Sequence, residues 1–257
     1  LDSSGNEIFS HSFYDYTFYS VDSDQQGNSY VTGVKVFSFN NWELVLIKFN
    51  DAGVIEWERV LSTPTSNSQG RAVVASDSTI YVAGHTDYSH IAIKYDPLGN
   101  PLYTAYFFQD PWGDYYYRSL HSQVDQSGNI YFYARCQESG GIWHSFIYKF
   151  NSSLEQQWHD STTLTNECLL DLTFDQSQDL VFCGYDYSNY RPLRIKYNQN
   201  GTKEWSIVLE DGIGEFWNVA SSGEGNFFTG RVHFADTIEK MLVYMTDPNG
   251  NFKSQYI

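Results

Sequence analysis

Basic residues are scarce in this chain: 15 Lys and Arg stand against 31 Asp and Glu, a formal net charge of −16 over 257 residues. A partner gripped through its phosphate backbone needs a basic footprint, so nucleic acid is excluded as a partner. Cysteine is scarcer still, with only Cys136, Cys168 and Cys183 and no CxxC pair. That excludes a zinc ribbon and a small disulfide scaffold. It leaves a Cys168–Cys183 bridge across one hairpin, or buried free thiols acting as small hydrophobes. No run approaches the roughly 18 apolar residues of a membrane-spanning helix. No stretch joins a capping box to apolar residues at i, i+3 and i+4, so no substantial helix is expected. GxSxG, HExxH, the P-loop and GxGxxG are all missing. The chain opens on Leu1 without a basic-then-apolar leader, which reads as a mature or trimmed product.

What is abundant is aromatic: 21 Tyr, 18 Phe and 7 Trp, 18% of the residues. Flat side chains pack well on pleated surfaces, which favours strands. The phrase "IKYDPLGNPLY" (93–103) returns as "IKFNDAGVIEW" (47–57), "YKFNSSLEQQW" (148–158) and "IKYNQNGTKEW" (195–205). Its Gly or equivalent falls at Gly5, Gly53, Gly99, Leu154, Gly201 and Gly250, with spacings of 48, 46, 55, 47 and 49. Four residues later comes an aromatic, namely Phe9, Trp57, Tyr103, Trp158 and Trp205, and only the last copy breaks the rule with Ser254. A second phrase precedes the first in each period: "DQQGNSYVTG" (24–33), "DSTIYVAG" (77–84), "DQSGNIYFYA" (125–134), "DQSQDLVFCG" (175–184) and "SGEGNFFTG" (222–230). Asp, Gly and Asn between alternating apolar runs specify a tight hairpin turn. Each period therefore holds four strands, a to d, with tight a–b and c–d turns and longer b–c and d–a connections. Four-stranded antiparallel units repeated every 40–50 residues or so are the mark of a β-propeller.

The paired phrases D-x-x-G-N-x-Y-V-x-G and x-I-K-Y-D-x-x-G-x-x-x-W resemble the SBBP-type β-propeller repeat of secreted and surface proteins. The resemblance covers the whole chain, implies propeller architecture and an extracellular or cell-surface setting, and names no single activity. The c–d turn is also similar to the Asp-box of sialidases, which in that family is a folding element away from the catalytic centre.

The expected fold is thus all-β: one propeller domain over 1–257, with blades at about 15–63, 64–107, 108–162, 163–210 and 211–257. An orphan outer strand in residues 1–14 would close the ring, because a propeller must join its first and last blades. The alternative is part of a six- or seven-bladed ring. Docking of the spare strand into a neighbouring molecule would instead give self-assembly.

The b–c and d–a connections should emerge together. They carry Phe39, Trp42, Tyr88, Trp112, Tyr116, Trp143, Tyr187 and Trp217, interspersed with Asp110 and Asp186. Aromatic platforms beside carboxylates suit sugar rings or extended peptides. Strand a offers Ser20, Val73, His121, Asp171 and Asn218 at equivalent places, a polar lining for a water-filled channel. His85 and His90 bracket a short loop without a further ligand, so no metal and no cofactor is expected. Arg71 and Arg118 are too few for a sialidase-like arginine cluster, and the acidic residues suggest no particular glycosidase pair. Two sequons, Asn151 and Asn200, both lie in c–d turns.

The expectation for function is a non-enzymatic extracellular binding or adhesion module that holds glycan or peptide on the b–c/d–a loops. The alternatives are a structural subunit of a surface assembly or filament and, third, a glycosidase-like enzyme.

Overall fold

The computed structural model describes residue 7 and residues 9–38, 41–61, 67–87, 89–109, 115–138, 143–161, 167–210, 212–233 and 239–257. For residues 108–109, 115–120, 136–138 and 143 it describes the backbone alone. The first sheet is β1 (Tyr16–Ser23), β2 (Ser29–Ser38), β3 (Asn41–Phe49) and β4 (Ile55–Leu61). The second is β5 (Ser68–Ala75), β6 (Ile80–Thr86), β7 (Ser89–Tyr95) and β8 (Pro101–Gln109). The third is β9 (Tyr115–Val124), β10 (Ile130–Glu138), β11 (Trp143–Phe150) and β12 (Gln156–Ser161). The fourth is β13 (Glu167–Phe174), β14 (Leu180–Asp186), β15 (Arg191–Tyr197) and β16 (Lys203–Val208). The fifth is β17 (Ile213–Ser222), β18 (Gly225–His233), β19 (Glu239–Thr246) and β20 (Phe252–Tyr256). In every sheet spatial order follows chain order, and no helix occurs among the described residues. These are the four-stranded antiparallel units that the repeated phrases predict.

The chain forms two compact units. The first takes in the first two sheets. The second takes in the other three, except that residues 120–122 and 151–155 cluster with the first.

Burial explains which strands sit where. Middle strands such as β6 are covered on both faces, its run Ile80–Gly84 being wholly buried, whereas in the fifth sheet β19 alternates buried and exposed residues. The fourth strands β4, β12, β16 and β20 stay half-exposed. In the first unit the core gathers Tyr30, Leu44, Leu46, Val82, Ile91 and Ile93. In the second, Tyr131, Tyr133, Phe182, Leu193 and Tyr197 pack as one cluster, and Phe216, Phe228, Leu242 and Tyr244 pack with Val181 and Cys183 as another.

The tight turns share one hydrogen-bond scheme. Asp24 Oδ1 accepts the N–H groups of Gln26 and Asn28, and Asp125 and Asp175 do the same in their own a–b turns. Asn50, Asp96, Asn151, Asn198 and Asp247 repeat it in the c–d turns. A short side-chain acceptor closing its own turn is why these positions read Asp or Asn. The turn then needs a left-handed residue, supplied by Gly53, Gly99, Gly201 and Gly250 at φ 77–84°, with Leu154 the exception at φ 60°.

The aromatic four residues after that glycine is a latch to the next sheet in the same unit. A Cβ on Gly99 would meet the Trp57 ring, one on Gly201 that of Trp158 and one on Gly250 that of Trp205. Trp57 Nε1 also donates to Pro97 O at 3.2 Å, and Trp158 Nε1 to Gln199 O at 3.1 Å. Phe9 takes the same station on Gly53. The N-terminal segment differs from expectation in one respect: residues 9–13 form no strand. They dock through rings instead, with Phe9, His11 and Phe13 all packed on Phe49.

Candidate functional site

Four of the inner strands contain a bulge at the same height. Pairing skips Tyr19 in β1, Arg71 in β5, Leu170 in β13 and Trp217 in β17. Opposite each bulge lies a glycine, Gly33, Gly84, Gly184 or Gly230. A Cβ there would overlap the strand-a carbonyl of Thr17, Gln69, Cys168 or Glu215. That close approach is what the small residue ending the second phrase is for. Bulges re-aim side chains, and the residue after each small one lies toward the b–c end of its sheet. Those residues are Val34, His85, Arg135, Tyr185 and Arg231.

In the second unit they build one polar network. Arg231 lies directly across from Glu215, and its Nε donates to Glu215 Oε1 at 3.1 Å. Its NH1 reaches Glu239 Oε1 at 3.3 Å, and its NH2 donates to the Tyr190 hydroxyl at 3.1 Å. The guanidinium also covers Trp217, 5.8 Å from the ring centroid. Tyr190 packs edge-on against Tyr185, with centroids 5.0 Å apart, and Arg135 NH2 donates to the Tyr185 hydroxyl at 3.1 Å. Burial raises the Tyr185 and Tyr190 phenols, so both are neutral hydrogen-bonding groups at ordinary pH. Cys168, opposite Tyr185, is likewise pushed up by burial. Arginine and glutamate charges balance within the network, leaving donors and acceptors without net charge.

The first unit carries a smaller relative. Arg71 stacks on Tyr19 at 3.9 Å, and its Nε lies 3.4 Å from His85 Nε2. His85 pairs across the hairpin with buried His90, whose ring packs on Phe107. Burial pushes His85 down to about 4 and His90 down to about 3, so both imidazoles are neutral at pH 7. No metal-binding group of three occurs among the described residues.

Of the residues singled out from sequence, Trp217 joins the second unit's network, while Asp186 and Tyr187 lie in the b–c turn that leads to Tyr190. Asp186 caps the b–c turn, accepting Ser188 N at 3.1 Å and Asn189 Nδ2 at 2.9 Å. Tyr187 is exposed in that turn, which ends on Tyr190 in the left-handed region at φ 49°. Trp42 is 37% exposed in the first unit, its N–H on Asn67 Oδ1 at 3.0 Å. Tyr116 and Trp143 lie on β9 and β11 with only their backbone described. Phe39, Tyr88, Asp110 and Trp112 lie outside the described residues. Ser20 and Asp171 serve as links between inner strands: Ser20 Oγ accepts Val73 N, and Asp171 Oδ2 accepts Val219 N. Both Cys168 and Cys183 are free buried thiols, opposite Tyr185 and Asp171 respectively. Asn151 donates its Nδ2 to Glu155 within its turn, whereas Asn200 is exposed. Glu215, Arg231, Glu239, Arg135 and Tyr190 were not foreseen. Aligning the repeats on the small residue would have shown one column reading Val34, His85, Arg135, Tyr185, Arg231, apolar in the first blade and carrying a polar group in the other four.

Neither a family profile nor a curated protein matches the chain by sequence. Among solved structures it is similar to a protein of unknown function from Dyadobacter fermentans, with 12% identity, 94% of each chain covered and a TM-score of 0.57. It is similar to the periplasmic gluconolactonase of Pseudomonas aeruginosa, with 15% identity over 93% of this chain and 69% of that one, TM-score 0.58. It is also similar to a Hadza microbial sialidase, with 10% identity over 95% of this chain and 58% of that one, TM-score 0.53. At these identities the likeness is one of fold, and the fold is a β-propeller of four-stranded blades, five of them here. The likeness also corrects the expectation that the chain is not an enzyme. Enzymes are prominent among the proteins sharing its fold, the gluconolactonase and the sialidase included. The missing contiguous motifs carried that expectation, and they have little weight on a scaffold whose site residues come from separate blades.

Proposed function

We propose that the chain recognises a neutral glycan at the b–c end of its fourth and fifth sheets, in an extracellular or cell-surface setting. The observation that supports it is the Arg231 network. Its charge is internally balanced, it offers hydroxyl-matching donors and acceptors from Arg231, Glu215, Glu239 and Tyr190, and it lies over the indole of Trp217. An anionic ligand would need an uncompensated cation there, and in a chain of net charge −16 it would be repelled at long range as well. Tyr187 in one sheet, and Trp42 with Phe37 in another, are exposed aromatics that extend the same ends of their sheets. We carry the sugar class over from the names of the gluconolactonase and the sialidase as part of this proposal, together with SBBP-type repeats and a single propeller domain. Asn200 is the sequon residue we expect to be modified in a glycosylating host.

The test is a glycan array followed by affinity measurement on wild type, Trp217→Ala and Arg231→Met. Neutral glycans retained at least ten-fold more weakly by either variant, with the β spectrum unchanged, are expected. Retention unaffected by both substitutions, or a preference for acidic glycans lost with Arg231, would place recognition elsewhere.

A further inference from the structure

At the other end of the second unit, where the tight turns lie, a cleft of about 330 Å³ opens between the third and fourth sheets. Asn129, Lys149, Gln157, Trp158, Gln199 and Asn200 line it: one cation, four amides, one indole and no acid. Lys149 occupies a position that is also lysine in the first, second and fourth sheets and Met245 in the fifth, and the comparison with the fourth shows what is missing. In the fourth sheet the equivalent Lys196 holds Asp175 at 2.8 Å, Asp179 at 3.1 Å and Glu204 at 3.3 Å. In the first sheet Lys48 holds Glu56 at 2.8 Å. Around Lys149 the matching residues are amides: Asn129 stands where the fourth sheet has Asp179, and Gln157 where it has Glu204. The remaining acid, Asp125, is spent on its own turn, on Asn129 Nδ2 at 2.8 Å and on the Tyr131 hydroxyl at 3.2 Å. Lys149 therefore rests on a carbonyl, Gln199 O at 3.0 Å, and over the Tyr131 ring at 5.1 Å, with no carboxylate in ion-pair contact among the described residues. Burial lowers its pKa, against a smaller opposing pull from Asp125. Lys94 in the second sheet is held as Lys149 is, on a carbonyl, Ser152 O at 2.7 Å, and over the rings of Tyr81 and Tyr103, so what sets Lys149 apart is the amide-lined cleft beside it.

We propose that this cleft binds an acidic sugar, whose carboxylate completes Lys149 as Asp179 and Glu204 complete Lys196, while the surrounding amides take the ring hydroxyls. Its volume suits one or two pyranose rings, being at the small end of ligand pockets. A cation and neutral amides without a carboxylate form the part of an acidic chain where an anion is least opposed. Trp158 supplies a flat apolar wall for the sugar's C–H edge. The site is separate from the Arg231 network and takes an anionic sugar where that network takes a neutral one.

The experiment uses the full chain made in a non-glycosylating host, so that Asn200 carries no glycan at the cleft mouth. Digalacturonate, neutral cellobiose and sodium acetate are titrated calorimetrically at low salt. Digalacturonate is expected to bind at least ten-fold more tightly than either control. The double variant Asn129→Asp/Gln157→Glu rebuilds the fourth sheet's ion cluster, so it should lose digalacturonate at least ten-fold while melting no lower than wild type. Lys149→Met should lose it too, and Trp217→Ala should not, which separates this proposal from the one above. Equal binding of cellobiose would overturn the acidic-sugar assignment, and equal binding of acetate would overturn it by reducing the site to a bare carboxylate contact. Digalacturonate affinity unchanged in the double variant would remove Lys149 from recognition altogether.

Discussion

The two ends of each sheet obey different rules. At the turn end, one scheme is written again and again: an Asp or Asn closing its turn, a left-handed glycine, and an aromatic latching onto the next sheet's glycine. At the other end four of the blades share the bulge and the glycine opposite it, and the residue after that glycine is free to vary. The lesson is about constraint. Backbone geometry dictates the first end residue by residue, so it repeats. The second end has its backbone fixed by the bulge but its side chains unspecified, and there the polar networks of Arg71 and Arg231 are built.

The same contrast decides what was legible from sequence. The repeated phrases revealed the strands and their order within each sheet, because Asp, Gly and the aromatic each answer a local geometric need. Asp186 looked like a ligand-facing acid, yet its carboxylate is engaged in shaping the turn that ends on Tyr190. Arg231, Glu215 and Tyr190 come from strands and a loop of different blades, with nothing in local sequence to link them. A cross-strand pair such as Glu215 with Arg231 becomes visible only once register is known. The Lys149 cleft was hidden differently: it is a departure from a repeat, legible only after the repeat's own ion cluster has been seen.

The largest test of the contrast concerns acid. His85 and His90 sit at the variable end, and their folded pKa values of about 4 and about 3 lie below the unfolded value near 6.5. The unfolded chain therefore binds more protons, and their contribution is complete above about pH 6.5 and lost as pH falls toward 4. At pH 5 each should cost about 2 kcal/mol relative to pH 7.5. The turn-end carboxylates Asp24, Asp96 and Asp247 have lowered values instead, so their losses begin only near pH 4 and below. Between pH 7.5 and pH 5 the urea midpoint should thus fall markedly in wild type and much less in His85→Gln/His90→Leu. An equal fall in both would locate the acid sensitivity elsewhere.

A smaller effect is expected from breaking a latch. Trp205 is half-buried, packs on the cluster around Phe216 and Tyr244, and seats on Gly250. Trp205→Ala should cost about 3 kcal/mol, read as a lower urea midpoint, because the next turn cannot collapse into the space. Tyr187→Ala at the variable end removes an exposed ring and should stay within about 0.5 kcal/mol of wild type. Similar losses from both would mean that the two ends are equally constrained.

The finest test asks whether the turn rule holds where the chain departs from it. Gln178 stands at φ 61° in the fourth sheet's a–b turn, where the first and third sheets have Gly27 at φ 85° and Gly128 at φ 78°. A side chain in the left-handed region costs roughly 1–2 kcal/mol, so Gln178→Gly relieves strain. Against that, glycine raises the unfolded chain's entropy by about 0.4–1 kcal/mol. The substitution also deletes the acceptor Gln178 Oε1, which takes the Gln126 N–H at 3.2 Å on the exposed surface. Such an exposed bond is replaceable by water and contributes little. The balance predicts a gain of roughly 0.5 kcal/mol, a rise in melting temperature of about 1–2 °C. A fall instead would show that the bond to Gln126 outweighs the backbone strain, and that this turn has been adapted to hold its neighbour rather than merely to reverse the chain.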